Sequence, residues 1–166
     1  MIAEGINRLV TNRGGNADVI SAVKEVFEQY RNSVSNDVQD LRVETFYNKC
    51  LNIFYYVLDN VRYQEDFGVY QLVKTPARLI SDGVGDCKSM AIFIASCLWC
   101  LGCDVVRFRF VSFDNSNIYT HVYVVATHNG ETITIDPVER INGQPVFNYA
   151  RSCVRYKDLE YKRNNI

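Results

Sequence analysis

The hydrophobic pattern of the first third of the chain predicts two amphipathic helices. The first apolar run recurs with the period of an α-helix and comprises Val19, Ile20, Val23, Val26, Phe27 and Tyr30. After a polar break at 33–37, a second run has helical spacing and comprises Leu41, Phe46, Cys50, Ile53, Phe54, Val57, Leu58 and Val61. An apolar stripe along one side of a helix packs against a core. We therefore predict two core-packing helices and assign them no chemical role.

A third helix is predicted over 87–101, where the chain is apolar on every side. The segment reads CKSMAIFIASCLWCL, and its one charged residue is Lys88. A helix of this composition lies buried in the middle of a domain. Asp86 is a favourable N-cap, and Gly102 is a favourable C-terminal stop. We expect Lys88 to point to solvent, and residues 67–86 to form an irregular connection before the helix.

Three strands are predicted in the second half of the chain. The first has apolar side chains at alternate positions, namely Val106, Phe108 and Phe110. Two β-branched and aromatic segments then flank the dipeptide Asn129-Gly130, which is typical of a two-residue hairpin turn. These segments are 118–127 and 132–137. With Asn129 and Gly130 as the turn, His128 pairs with Glu131, and this pairing sets the register of the whole hairpin.

Length and composition indicate one globular domain. The chain has 166 residues and a mass of 19.1 kDa, which is the size of a single compact unit. Hydrophobic residues make up 48% and charged residues 22%, and these proportions exclude a disordered chain. The polar, Gly/Asn-rich residues 1–16 are predicted to form a flexible N-terminal arm, and residues 17–166 a single domain.

The charge balance argues against nucleic acid and membranes as partners. Eighteen Lys and Arg against 19 Asp and Glu leave a net charge of −1. The chain has no apolar stretch of about 18 residues, and its start lacks the pattern of a signal peptide. We therefore expect a cytoplasmic location. The tail 138–166 is modestly basic and is expected to be a solvated surface, with docking to an acidic partner as the alternative.

The six cysteines are expected to be reduced thiols, because no secretion signal accompanies them. Buried free cysteines behave as small hydrophobic residues. The spacing Cys97-x2-Cys100-x2-Cys103 has a superficial similarity to a cluster-binding run, but it lies in a predicted helix and lacks a fourth cysteine followed by proline. We expect no metal site there.

Cys87 differs from the other cysteines because it begins the buried helix. The backbone N–H groups of a first helical turn are unpaired, and the helix dipole places positive potential there, so both favour a thiolate. The same N–H groups can stabilise an oxyanion. Gly85 allows a close approach of the chain and leaves the sulfur accessible. We therefore predict Cys87 as a nucleophile.

A thiol nucleophile needs a base, and the sequence has two histidines, His121 and His128. In the predicted hairpin register, Asp136 lies diagonally across from His121 on the same face, where Cβ atoms are about 7–8 Å apart. His128 lies at the turn and has the opposite parity. We predict that Cys87 attacks an acyl carbon, that His121 takes the thiol proton or already forms an ion pair with the thiolate, and that Asp136 orients the imidazole and stabilises the imidazolium.

Three segments resemble the transglutaminase-like superfamily of papain-type cysteine enzymes. They are Gly85-Asp86-Cys87-Lys88-Ser89-Met90-Ala91, Thr120-His121-Val122-Tyr123-Val124 and Ile135-Asp136-Pro137. In that family a Gly-x-Cys opens the central helix, a His lies on the following strands, and an Asp lies on the adjacent strand. The resemblance covers residues 54–138, and Gln71-x4-Pro76 is similar to small members from bacteria and their phages.

The resemblance implies an α+β fold in which the nucleophile helix packs on an antiparallel β-sheet, with additional N-terminal helices in this chain. It also implies acyl transfer through a thioester, without a cofactor, on a protein or peptide substrate. Cys87, His121 and Asp136 take the catalytic positions. Gln71 is predicted as a second oxyanion donor, and Tyr123 as part of the substrate cleft because it shares the face of His121.

Hydrolysis of peptide or isopeptide bonds is the reaction that we favour. The chain is too short for the additional β domains of animal transglutaminases, and nothing in it resembles their calcium sites. Transfer to an amine is one alternative. Another is a non-catalytic binding or assembly module, for example a virion-associated phage component with an unknown assembly partner. A thiol redox protein fits less well, because no Cys-x-x-Cys lies at a helix start.

Overall fold

The computed structural model describes residues 8–11, 16–66 and 70–164, with the backbone alone for 8–11, 70 and 71. The helices are α1 (Asn16–Tyr30), α2 (Phe46–Asn60), α3 (Pro76–Asp82) and α4 (Cys87–Cys100), with a 3₁₀ helix at Asp37–Leu41. The strands are β1 (Arg8–Thr11), β2 (Arg62–Tyr63), β3 (Tyr70–Val73), β4 (Val84–Gly85), β5 (Val105–Ser112), β6 (His121–His128), β7 (Glu131–Ile135), β8 (Arg140–Ile141), β9 (Gln144–Pro145) and β10 (Arg155–Lys162).

Helix α4 lies in the middle of the domain, as its composition predicts. All residues from Cys87 to Leu98 are buried. The helix contacts α1, α2 and α3, and it also packs against β5 and β6. Because neighbours surround α4, apolar side chains are needed on every face. Among the helices that the structure describes, none has both the length and the apolar character needed to cross a bilayer.

The main sheet has four antiparallel strands in the order β10-β5-β6-β7. The β6–β7 hairpin has the predicted register, with His128 opposite Glu131. Asn129 and Gly130 have φ angles of 48° and 81°, which suit the turn that their sequence favours. The face of the hairpin toward α4 is apolar and fully buried, and it includes Val124. The α+β architecture and the hairpin prediction are therefore confirmed.

The connection before α4 is more regular than the sequence suggests. Thr75 caps α3 by accepting a hydrogen bond from the backbone N–H of Arg78, and Pro76 occupies the first helical turn. The prediction of an irregular connection over 67–86 is therefore wrong for this segment, because proline is favourable at the first position of a helix. The described part of the predicted arm, β1, pairs antiparallel with β3. The rest of the arm before residue 16 lies outside the described residues.

The basic tail contributes an edge strand of the main sheet. Strand β10 pairs along its whole length with β5. Arg109 of β5 makes two hydrogen bonds to Asp158, at 2.8 and 2.9 Å, and Arg107 donates to Glu160 at 2.6 Å. Two acidic side chains of the tail, Asp158 and Glu160, therefore pair with arginines across the sheet. Its high charge obscured the strand pattern in the sequence, because the ion pairs form only after β10 meets β5.

Candidate active site

Cys87 is the first residue of α4 and lines a cavity of about 370 Å³. Asp86 is the N-cap, as predicted, and its carboxylate accepts a hydrogen bond from the backbone N–H of Ser89 at 3.1 Å. A Cβ at Gly85 would lie 2.4 Å from Cδ1 of the buried Leu79. Glycine therefore allows α3 to pack closely against the chain just before Cys87.

His121 and Asp136 come from neighbouring strands. His121 begins β6, and Asp136 directly follows the last residue of β7. A bond of 2.6 Å joins Nε2 of His121 to Oδ2 of Asp136. The other carboxylate oxygen of Asp136 accepts the backbone N–H of Val138 at 3.1 Å. Both side chains are buried, and Asp136 is only 1% exposed. The hairpin register thus brings the imidazole and the carboxylate together.

The imidazole of His121 and the thiol of Cys87 lie at the same cavity. The proximity of Cys87 is one of the causes that raise the pKa of His121. Because Nε2 is engaged with Asp136, Nδ1 is the ring nitrogen left for the sulfur. The structure therefore places the thiol of Cys87 and the hydrogen-bonded pair of His121 and Asp136 at the same site.

The surroundings of His121 also set its protonation state. Burial of the ring lowers the pKa, but the hydrogen bonds with Asp136 and Cys87 outweigh this and raise the pKa of His121 from 6.5 to about 10. The imidazolium is therefore the main form of the ring at neutral pH. An imidazolium can donate a proton to a leaving group, which is the role of a general acid.

The raised pKa of His121 makes the stability of the fold depend on pH. The folded protein holds this proton more tightly than the unfolded chain, whose histidine has a pKa of 6.5. The resulting stabilisation is complete below pH 6.5 and is lost as the pH rises through about 10. We expect urea denaturation to show a fall in the free energy of unfolding of up to about 1.4 kcal/mol per pH unit in this range. The variant His121→Gln should lack this part of the slope, and equal slopes in both proteins would contradict the raised pKa.

Two aromatic rings pack beside His121. Phe113 stacks on the imidazole with ring centroids 6.1 Å apart, and Tyr123 is tilted against it at 5.9 Å. Tyr123 is 5% exposed and belongs to a small apolar cluster with Val111 and Val125. The structure thus places Tyr123 against His121 within this cluster, whereas the sequence suggested the wall of the cleft. The reason is tertiary, because residues of the tail cover this face of the sheet.

Gln71, the predicted oxyanion donor, is in β3, and its side chain lies outside the described part of the chain. Two hydrogen bonds hold this part of the chain in place. The backbone N–H of Leu72 donates to Oδ2 of Asp66 at 2.7 Å, and that of Lys74 donates to Oγ of Ser89 at 3.0 Å. The second bond ties the end of β3 to the first turn of α4. The role of Gln71 stays a prediction.

Lys88 is buried, and the expectation that it points to solvent is wrong. Its side chain is 9% exposed. The ammonium contacts the carboxylate of Asp86, and it lies 3.6 Å from Oδ2 of Asp66. A buried ammonium requires carboxylate partners, and two are present here. The signal in the sequence was the single charge on a helix that is otherwise apolar on every side.

Further residues of the cavity were not singled out from the sequence. Tyr63 and Glu65 come from β2 and the loop after it, and Ile118 and Tyr119 come from the loop before β6. Ile118 is 64% exposed and Tyr63 is 37% exposed, so the cavity has an apolar rim. These loops have no periodic pattern, so no sequence signal marks them as neighbours of Cys87.

Glu139 lies close to the pair formed by His121 and Asp136. One ligand atom from each of the three side chains lies within 4.8 Å of the other two, a spacing that a metal ion could bridge. However, both carboxylate oxygens of Asp136 are already engaged, one with His121 and one with the backbone N–H of Val138. The hydrogen-bonded pair therefore fits proton transfer better than metal ligation.

Comparisons with known proteins agree with this architecture. No protein-family model and no curated protein matches the chain. Among solved structures, a "putative cysteine protease" from Cytophaga hutchinsonii aligns with a TM-score of 0.56 at 15% identity, over 96% of this chain and 64% of that one. A "putative protease" from Parabacteroides distasonis aligns with a TM-score of 0.56 at 13% identity, over 72% of this chain and 26% of that one.

Calcium-bound LapG from Legionella pneumophila is a third similar structure. It aligns with a TM-score of 0.55 at 16% identity, over 86% of this chain and 83% of LapG. The chain thus spans a quarter of the Parabacteroides protein and just under two thirds of the Cytophaga protein. Together these similarities show that the chain shares the α+β fold of these three structures. At such low identities they show the fold alone.

Proposed function

We propose that the protein is a cysteine hydrolase that cleaves peptide or isopeptide bonds through a thioester on Cys87. The observation that carries this proposal is a cavity lined by Cys87 and His121, with Asp136 hydrogen-bonded to His121 behind it. His121 is held at 2.6 Å by the buried carboxylate of Asp136. This is the arrangement that thiol acyl transfer needs, with a nucleophile, a base and a group that orients the base.

The first half of the reaction forms the thioester. His121 starts as the imidazolium and holds the proton of the Cys87 thiol at Nδ1, and the thiolate sulfur attacks the carbonyl carbon of the substrate. The tetrahedral intermediate then collapses, the C–N bond breaks, and the imidazolium gives its proton to the leaving amine. Asp136 holds the ring in position and stabilises its positive charge throughout. The substrate carbonyl carbon is left bound to sulfur.

The second half releases the product. His121, now neutral, takes a proton from water, and the resulting oxygen nucleophile attacks the thioester. The C–S bond breaks, the sulfur leaves as the thiolate, and the proton stays on His121. The product is a free carboxylic acid, and Cys87 is regenerated. If an amine replaced water in this step, the same residues would perform amine transfer.

The oxyanion formed in both halves needs hydrogen-bond donors. The backbone N–H of Cys87 belongs to the first turn of α4, whose N–H groups have no acceptor within the helix. This position supports it as the first donor. We propose the side-chain amide of Gln71 as the second, because β3 is tied to the first turn of α4 through Lys74 and Ser89.

A cleavage screen tests the proposed function. The protein is incubated with a library of proteome-derived peptides and with ubiquitin-type isopeptide conjugates, and new termini are quantified by mass spectrometry. A biotinylated primary amine in a parallel reaction reports amine transfer. We expect cleavage to exceed amine incorporation. Faster amine incorporation would favour a transferase, and the absence of both reactions would contradict an enzyme of this class.

A further inference from the structure

Lys88 is a buried cation directly beside the proposed nucleophile. It follows Cys87 in the first turn of α4, and its ammonium lies between two carboxylates, in contact with Asp86 and 3.6 Å from Asp66. Enclosing an ammonium is unfavourable unless partners compensate for the lost hydration. The proposed mechanism gives Lys88 no role, although Lys88 and both of its carboxylate partners line the same cavity as Cys87.

The two carboxylates that hold Lys88 belong to different parts of the site. Asp86 caps the nucleophile helix through the backbone N–H of Ser89 at 3.1 Å. Asp66 accepts the backbone N–H of Leu72, in β3, at 2.7 Å. The ammonium of Lys88 therefore connects the start of α4 with the strand that also carries Gln71. Loss of this link would loosen two sides of the site at once.

The charges around the cavity are unbalanced without Lys88. Three carboxylates line it, those of Glu65, Asp66 and Asp86, and the cations that line it with them are Lys88 and the imidazolium of His121. Burial raises the pKa of Asp86, whereas attraction to Lys88 acts in the opposite direction and favours the ionised, capping form. A negatively charged sulfur next to these carboxylates would be repelled by them, and a positive charge in the same place offsets that repulsion.

We infer that Lys88 is a positioning residue for the proposed nucleophile: its ammonium offsets the negative charge of Asp66 and Asp86 at the sulfur of Cys87, and it ties the start of α4 to β3. The inference rests on the proposed function only in that Cys87 is taken as the nucleophile. Lys88 acts through its neighbours and takes no part in bond making or bond breaking.

Two thiol reagents of opposite charge measure the local electrostatic potential at Cys87. We use 2-aminoethyl methanethiosulfonate, a cation, and 2-sulfonatoethyl methanethiosulfonate, an anion. Both form a mixed disulfide with the same thiolate and release a sulfinate, so the ratio of their rate constants cancels the thiolate fraction. Labelling is quantified on the peptide that contains Cys87. We expect Lys88→Met to raise the cation-to-anion ratio by about tenfold, because one positive charge close to the sulfur is lost.

Matched variants separate this effect from a loss of structure. Lys88→Arg keeps the charge and should leave the ratio within about twofold of the parent. Asp66→Asn should lower the ratio, and the double variant Lys88→Met/Asp66→Asn should bring it back toward the parent, since the sum of charges is restored. If Lys88→Met does not fold, Lys88→Arg and Asp66→Asn decide the question on their own.

An unchanged ratio in folded Lys88→Met, or in Asp66→Asn where the former is unfolded, overturns the inference. So does a Cys87 that neither reagent labels. Labelling does not require turnover, so the two proposals fail in different ways. A parent protein that shows the expected ratios but cleaves no peptide contradicts the proposed function and leaves the role of Lys88 intact. A parent protein that cleaves peptides, with a ratio of rate constants that does not change in the Lys88 variant, contradicts the role of Lys88 and leaves the proposed function intact.

Discussion

Replacement of Cys87 by alanine is expected to lower peptide hydrolysis by about 10⁴-fold or more. Without the sulfur no thioester forms, and only positioning and the oxyanion donors would remain, so the covalent route is lost as a whole. The substitution removes one atom at the edge of a cavity and leaves the Asp86 cap and the α4 backbone unchanged. The initial rate of cleavage of the best peptide from the screen measures the effect.

Cys100→Ala is the matched control for this prediction. Cys100 ends the same helix, is partly buried, and its thiol contacts the backbone carbonyl of Arg31 at the opposite end of α4 from Cys87. We expect its activity to stay within about twofold of the parent, because this end of the helix is remote from the cavity. Equal losses in the two variants would show that the helix needs its cysteines for stability, and residual activity of Cys87→Ala above one tenth of the parent would contradict a thioester route.

Asp136→Asn is expected to have the second largest effect, a loss of about 10³–10⁴-fold in hydrolysis. The amide has nearly the shape of the carboxylate, but it carries no charge to stabilise the imidazolium and does not select the same tautomer of His121. The raised pKa of His121 depends on the bond of 2.6 Å to this carboxylate. Without that bond, burial dominates, and the pKa of His121 should fall from about 10 to near or below 6.5.

A proton NMR titration checks this second prediction directly. The chain has two histidines, so the ring resonances can be assigned with a single variant, His128→Ala. In the parent, the resonance of His121 should not titrate below about pH 9, whereas in Asp136→Asn it should titrate in the ordinary range of histidine or lower. His128 lies near the partly exposed Asp104, with 3.2 Å between Nδ1 of the ring and the carboxylate. Ordinary titration of His121 in the parent would contradict the proposed relay.

Local sequence signals predicted the parts of the site that lie on regular elements. The buried helix 87–101 was recognisable because an all-apolar segment of that length has no stable place except in the core. The dipeptide Asn129-Gly130 fixed the turn, and strand alternation then placed His121 and Asp136 on one face of the hairpin. The pairing found in the structure agrees with this register, and the bond between the two side chains follows from it.

The remaining parts depend on contacts between segments that are distant in the chain. The burial of Lys88 depends on Asp66, which lies before β3 and reaches the ammonium only after β2 and β3 are in place. The position of Tyr123 depends on the tail, which covers its side of the sheet. Neither contact produces a periodic pattern in the sequence. The residues that form each contact are distant in the chain and are brought together by the fold, not by helical or strand spacing.

The amino-acid sequence by itself therefore determined a central helix that begins with a cysteine and a hairpin that pairs a histidine with an aspartate. Hydrophobic periodicity and turn chemistry act over a few residues, and they are readable without knowledge of the fold. Only the tertiary structure decided three further features. Cys87 and His121 line the same cavity, Lys88 is held between two carboxylates, and particular loops complete the cavity wall. These contacts exist because α4 packs against β6, and the energy of such packing is a property of the folded core.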